Sequence, residues 1–394
     1  MPPSDPHCQS LQPLPYHLEV VDYLTIHEPD VWRWAAAGIT DAGQREALRS
    51  RLLRDTYRIE PDAHADIHAL LSTAMARLGI AAPVTLYQAP GRDMNAMLMY
   101  VPGEVHLIVQ GPLLERLAPE ELLAVFGHEL AHYLLWSHDA GRLLVADRIL
   151  DDGAGTAPSI NETFRRYVLH TELYADRGGA LAAGAIGPAV SALVKVQTGI
   201  GSVDAGAYLR QAAEVEASED AASKAASHPE TFIRARALAL WWDGAPELDA
   251  WIATRLRGPL SLQRLDLPGQ RRLQSLTRGF LAHFLADRRL ASEAVLAQVR
   301  LMFPDWGADE ADAGPDAFAA AAADDSVRIY LNALMLDLAL ADRGQRDEAL
   351  LRAGVLAEAL GSLDALLADL RRHAGFGKRE LDRFKRQLAR EGQA

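Results

Sequence analysis

The sequence predicts an α+β, mainly helical protein: a core of helices resting on a small β-sheet, followed by a C-terminal α-helical region. Three observations carry this. Long segments place apolar residues at helical spacing, strand-like runs occur only between Val84 and Gln110, and helical spacing returns alone from Val327 onward. A chain of 394 residues with 49% hydrophobic content can bury a large core, divided over two or three domains.

The elements follow in order. Residues 1–15 are polar and Pro-containing, which reads as a loose arm. Val31 to Ala37, Asp41 to Arg54 and Pro61 to Leu78 read as helices. Val84 to Gln88, Met97 to Val101 and Val105 to Gln110 read as short strands. Ala118-Pro119-Glu120-Glu121 marks a helix start, because Pro suits the first turn and acidic side chains there complement the helix dipole. Leu122, Val125, Phe126, Leu130 and Leu134 give that helix its apolar face, and Gly127 lowers propensity while allowing close packing. Asp151 to Pro158 is a turn-rich loop. Asn161 to Ala183 reads as a helix capped by Asn161, with Phe164, Tyr167, Val168, Leu173 and Tyr174 at helical spacing. Gly178 to Val194 is rich in Ala and Gly and reads as a packed helix.

Leu248 to Leu256, Gly269 to Leu285 and Ala291 to Met302 look helical. Pro304 to Ser326 holds seven acidic residues and no Lys or Arg, as a linker would. The expected organisation is therefore an arm over 1–15, a main domain over 16–240, a helical extension over 241–303, a linker over 304–326 and a helical bundle over 327–394. That last part resembles the TerB-like tellurite-resistance domains around Asp342 to Asp347. The basic Arg343 and Arg346 depart from that pattern, so no metal site is carried across and a plain bundle is expected.

The chemistry is concentrated in His128-Glu129-Leu130-Ala131-His132. Residues four apart share one helix face, so two imidazoles can grip one ion while Glu129, one step round, stays free for proton transfer. Zn²⁺ takes neutral His nitrogens at about 2.0 to 2.1 Å, and a catalytic site adds a third protein ligand and a water. Glu172 and Asp176 are the downstream candidates, again four apart. One can bind the ion while the other accepts the remaining N–H of a ligand histidine. Read alone, that pair would be an acidic face paired with Arg177.

These segments resemble the HtpX-like and CAAX-prenyl-protease-like zinc metallopeptidases, a gluzincin group with an HExxH helix followed by a helix bearing Glu and, four residues on, Asp. Asn95-Ala96, the run from Val105 to Leu114, His128 to His132, Glu172 to Asp176, and His228-Pro229 with Arg234 match in order, over Asp62 to Leu240. The resemblance implies one catalytic Zn²⁺ held by His128, His132 and Glu172, with Glu129 as general base and acid and Asp176 supporting a ligand from behind. It also implies that His228 stabilises the oxyanion, while Asn95, Ala96 and Arg234 bind substrate.

The chain departs from many members of that group in having no run of about 18 apolar residues that would span a membrane. It shows no secretory signal, and its single Cys8 excludes an internal disulfide, so a cytoplasmic location is expected. A net charge of -13 argues against nucleic acid as a partner. The expected function is a zinc endopeptidase acting on peptide or protein substrates, with a possible protein partner at the C-terminal helices. The alternative is a latent or retired peptidase-like scaffold. His64 and His68 are also four apart, but Ala65 stands where a base would be needed, and His170 points away from Glu172 on its helix.

Overall fold

A computed structural model describes residues 11–38, 42–218, 222–307, 318 and 323–391. Most of the segment expected to be a linker, and most of the N-terminal arm, lie outside them. The chain forms two compact units, Met1–Gly258 and Pro259–Ala394.

The first unit is helical with one four-stranded sheet. Its helices are α1 (Pro15–His27), α2 (Pro29–Ala37), α3 (Ala42–Asp55), α4 (Ala65–Leu78), the short α5 (Leu113–Arg116), α6 (Pro119–Ser137), α7 (Arg142–Asp152), α8 (Pro158–Ala183), α9 (Ile186–Thr198), α10 (Ala205–Ser218), α11 (Thr231–Trp242) and α12 (Leu248–Ile252). Its strands are β1 (Tyr57–Arg58), β2 (Val84–Ala89), β3 (Asn95–Val101) and β4 (Glu104–Gln110). Helix α1 was not legible as such, because its buried residues include His17 and Tyr16, which blur the apolar period.

The sheet runs in the order β1-β2-β4-β3, with β2 and β4 parallel and both outer pairings antiparallel. Pro102-Gly103 closes the β3–β4 hairpin, and Gly103 holds φ at 81°, where a side chain would be strained. Strand β4 lies inside the sheet and is buried along Val105–Val109. Val105, Leu107 and Val109 join the core that includes Leu71, Phe126 and Leu130, while Ile108 packs with Leu52 and Tyr87 on the opposite face. Because β3 is at the end of the order, one of its backbone edges has no strand partner among the described residues.

Several boundaries differ from expectation; the helix expected from Pro61 begins at Ala65, the strand expected from Met97 begins at Asn95, and two further differences fall on the helices behind the site. Helix α8 begins at Pro158, and Asn161 is inside it, its side chain accepting from the Gly155 N–H at 2.6 Å. The stretch from Gly178 to Val194 is two helices, because Gly184 adopts a left-handed φ of 75° and ends α8 before α9 begins.

Helices α6 and α8 are pressed together through glycine. A Cβ at Gly127 would lie 2.2 Å from Ala182 Cβ, and one at Gly178 would lie 2.4 Å from Ala131 Cβ. Side chains at these positions would hold the two helices apart, so their absence sets the spacing of the groups carried on either side.

The second unit is helical. It holds α13 (Leu267–Phe284), α14 (Glu293–Met302), α15 (Asp325–Ala341), α16 (Arg346–Ala359), α17 (Leu363–His373) and α18 (Lys378–Glu391) around a core including Phe280, Phe284, Leu331, Met335 and Leu370. Asn332 is buried there and satisfied by Ser362, donating to its backbone oxygen at 3.0 Å and accepting from its hydroxyl at 2.9 Å. Among the described residues no helix is long and apolar enough to cross a membrane.

Candidate metal centre

Helices α6 and α8 bring His128, His132 and Glu172 together, with one ligand atom from each lying within 4.8 Å of the others. Glu172 Oε2 is 3.6 Å from His128 Nε2, and Glu172 Oε1 is 3.9 Å from His132 Nε2. These separations are too long for hydrogen bonds. They suit groups that each approach one shared ion at about 2.0 to 2.2 Å. Glu172 Oε2 is buried and makes no hydrogen bond among the described residues, with Arg234 Nη2 3.2 Å away, so it keeps lone-pair capacity for a cation. The donor set therefore fits a divalent metal.

The groups around this triad are unequal. His128 Nδ1 is 3.0 Å from Asp176 Oδ1, so the ring donates there and its Nε2 is left unprotonated toward Glu172. His132 Nδ1 is buried without a partner, and its ring stacks on Trp136 at a centroid distance of 5.4 Å. Burial and the neighbouring His128 depress the His132 pKa to about 4, keeping the ring neutral as a ligand must be. Burial opposes protonation of His128 too, but the bond to Asp176 and the charge of Glu172 outweigh it and raise its pKa. Burial would raise the pKa of Glu172, yet the Arg234 charge prevails and holds it down.

Glu129 is 7% exposed. Burial pushes its pKa up to about 7, against the lowering effects of His128, Arg234 and the Leu98 N–H that it accepts from β3. A carboxyl group near 7 is matched to proton exchange at neutral pH.

The triad opens on a cavity of about 570 Å³. One wall is the unpartnered edge of β3, with Asn95, Ala96 and Leu98. Another part of the lining is apolar, from Val125 on α6 and Ala189, Ala192, Leu193 and Val196 on α9. His228 and Pro229 border the opening. His228 is 62% exposed with Nε2 3.7 Å from Glu172 Oε2.

Asn95, Ala96, His128, Glu129, His132, Glu172, Asp176, His228 and Arg234 all line this one cavity, and the Arg234 guanidinium is engaged by carboxylates. Its Nε and Nη2 donate to Asp176 at 2.8 and 2.6 Å, and Nη2 is 3.2 Å from Glu172 Oε2. The sequence had offered Arg177 as the partner of Asp176, whereas Arg177 stacks over Trp241 at 5.5 Å. His170, on α8 itself, is buried, donating to the Arg166 carbonyl at 2.6 Å and stacking on Tyr16. His68 bonds the Ile59 carbonyl at 2.8 Å. Trp136 and the α9 wall were not anticipated. Their only signals were an aromatic four residues past His132 and an apolar stripe indistinguishable from core.

Comparison with known proteins agrees with this geometry. Residues 61–151, which include the HExxH helix, match the model of peptidase family M48. The chain is 31% identical over 199 residues to plastoglobule-localized metallopeptidase 48, a chloroplastic protein of Arabidopsis thaliana. That alignment covers 45% of this chain and 57% of the relative, so the chain spans little more than half the length of the curated relative it matches. No solved structure matches it significantly. In the segment that carries its paired histidines, this chain is similar to the M48-type metallopeptidases.

Proposed function

We propose that the chain is a zinc-dependent endopeptidase, with His128, His132 and Glu172 as the zinc ligands. The observation that carries this reading is the convergence of those three donors beside the buried carboxyl of Glu129 and along an open strand edge. When bound, zinc supplies Lewis acidity that brings the pKa of water to roughly 7 and polarises a carbonyl.

The protein's own groups supply the rest. An extended peptide adds to β3, using the main chain of Ala96, which shares the outward direction of Leu98 two residues on. Asn95 holds the substrate backbone beside it. The Glu129 carboxylate takes the proton of the attacking water and returns it to the amine nitrogen as the C–N bond breaks. His228 Nε2–H donates to the carbonyl oxygen as negative charge develops there, a contribution on the order of 3 kcal/mol. The apolar wall of Val125 and Leu193 receives a substrate side chain and excludes water from the reacting centre.

The test uses the full-length chain with an unfolded protein as substrate. About one equivalent of zinc and internal cleavage fragments are expected, and Glu129→Gln should keep the metal while losing about 10²-fold or more in rate. Undiminished cleavage by that variant removes Glu129 from the mechanism. Release of single terminal residues would refute endo-action.

A further inference from the structure

We propose that Arg234 is a positioning residue of this centre, holding Asp176 in a two-point fork and through it setting the ring of His128. The inference rests on the metal-centre reading above and assigns Arg234 a task distinct from substrate binding. Arg234 sits in the first turn of α11, with its side chain 11% exposed. Its Nε and Nη2 reach separate oxygens of Asp176 at 2.8 and 2.6 Å. Two parallel N–H donors fix the rotation of a carboxylate as well as its position.

The consequence passes to the histidine. Asp176 Oδ1, fixed by Nη2, is the oxygen that faces His128 Nδ1 at 3.0 Å. Nδ1 then carries the proton, and Nε2 presents its lone pair toward Glu172. The support is one-sided, because His132 Nδ1 has no such acceptor and its ring is held by Trp136. Arg234 also places a positive charge 3.2 Å from Glu172 Oε2. Charge alone would make Arg234 an opponent of metal binding, whereas orientation makes it a supporter. The two roles predict opposite signs. Lysine separates them, since it keeps the charge and lacks the fork.

Cobalt(II) titrated into the metal-free full-length chain gives the readout. Visible d–d absorption reports ligand geometry, and competition with a chelator reports affinity. Wild type is expected to bind cobalt. Arg234→Lys and Arg234→Met should both bind about 10- to 100-fold more weakly, the scale seen when groups behind a ligand are removed, with an altered spectrum. Arg234→Lys combined with Asp176→Asn should be no weaker than Asp176→Asn alone, because Arg234 acts through Asp176. Wild-type affinity and spectrum in Arg234→Lys, or tighter binding in Arg234→Met, overturns the positioning role. Absence of cobalt binding by wild type overturns the metal centre itself. Should Arg234→Met fail to fold by circular dichroism, Arg234→Lys decides.

Discussion

Gly178→Ala tests whether the close approach of α6 and α8 is what assembles the His128, His132 and Glu172 triad. The new Cβ would sit 2.4 Å from Ala131 Cβ and 2.9 Å from the Gly127 carbonyl oxygen. Neither obstacle can rotate away, so the helices must part by about 1 Å to restore ordinary contact. Overpacking of this kind costs about 1 to 3 kcal/mol, and immobile neighbours place it at the upper end. Alanine recovers about 1 kcal/mol of helix propensity, leaving a net loss of about 2 kcal/mol. For a unit of this size that corresponds to a fall in Tm of about 4 to 8 °C. The displacement also widens the 3.6 and 3.9 Å gaps between the histidines and Glu172, so zinc should stabilise the variant less than it stabilises wild type. Calorimetry of metal-free and zinc-loaded protein measures both effects. Gly187→Ala is the control, since a Cβ there meets nothing within 4 Å, and it should be neutral or stabilising. Wild-type Tm and zinc response in Gly178→Ala would refute the packing argument.

Two further outcomes are expected. His132→Ala should lose bound metal on elemental analysis while keeping its helical circular dichroism, and unchanged metal content would remove His132 from the ligand set. The contribution of His17 and His170 to stability should fall below pH 6.5, because both are buried and neutral: burial depresses His17 and takes His170 to about 3. The unfolded chain protonates both rings near 6.5. Their contribution is therefore complete above that pH and is lost below it, by about 1.4 kcal/mol per group per pH unit. Urea unfolding of wild type and of a His17→Gln, His170→Gln variant between pH 7.5 and 5.5 compares the slopes, and equal slopes would sink this assignment.

The readings that held were those whose physics is local. The HExxH helix, the three main strands and the helix carrying Glu172 and Asp176 each announce themselves within one window, through Pro and Glu at a helix start or a short run closed by Pro-Gly. Helix α1 escaped because its polar buried members, His17 among them, are satisfied by Thr171 and the Leu14 N–H, partners that no local pattern reveals. Asn161 was misplaced as a cap because an Asn can bond a loop N–H from inside the first turn as readily as from before it.

Residue identity and spacing by themselves determined that two imidazoles share a helix face, that a carboxylate lies one step beside them, and that acidic side chains follow within reach. The folded chain alone decided which of those acids meets the histidines and that Arg234, not Arg177, neutralises Asp176. It also decided that an apolar wall from α9 closes the cavity. The physical reason is range. Helical periodicity is written in bonds between near neighbours, whereas the meeting of the histidines with Glu172 depends on how closely two helices approach, which the missing side chains of Gly127 and Gly178 permit and which only their packing against Ala182 and Ala131 reveals.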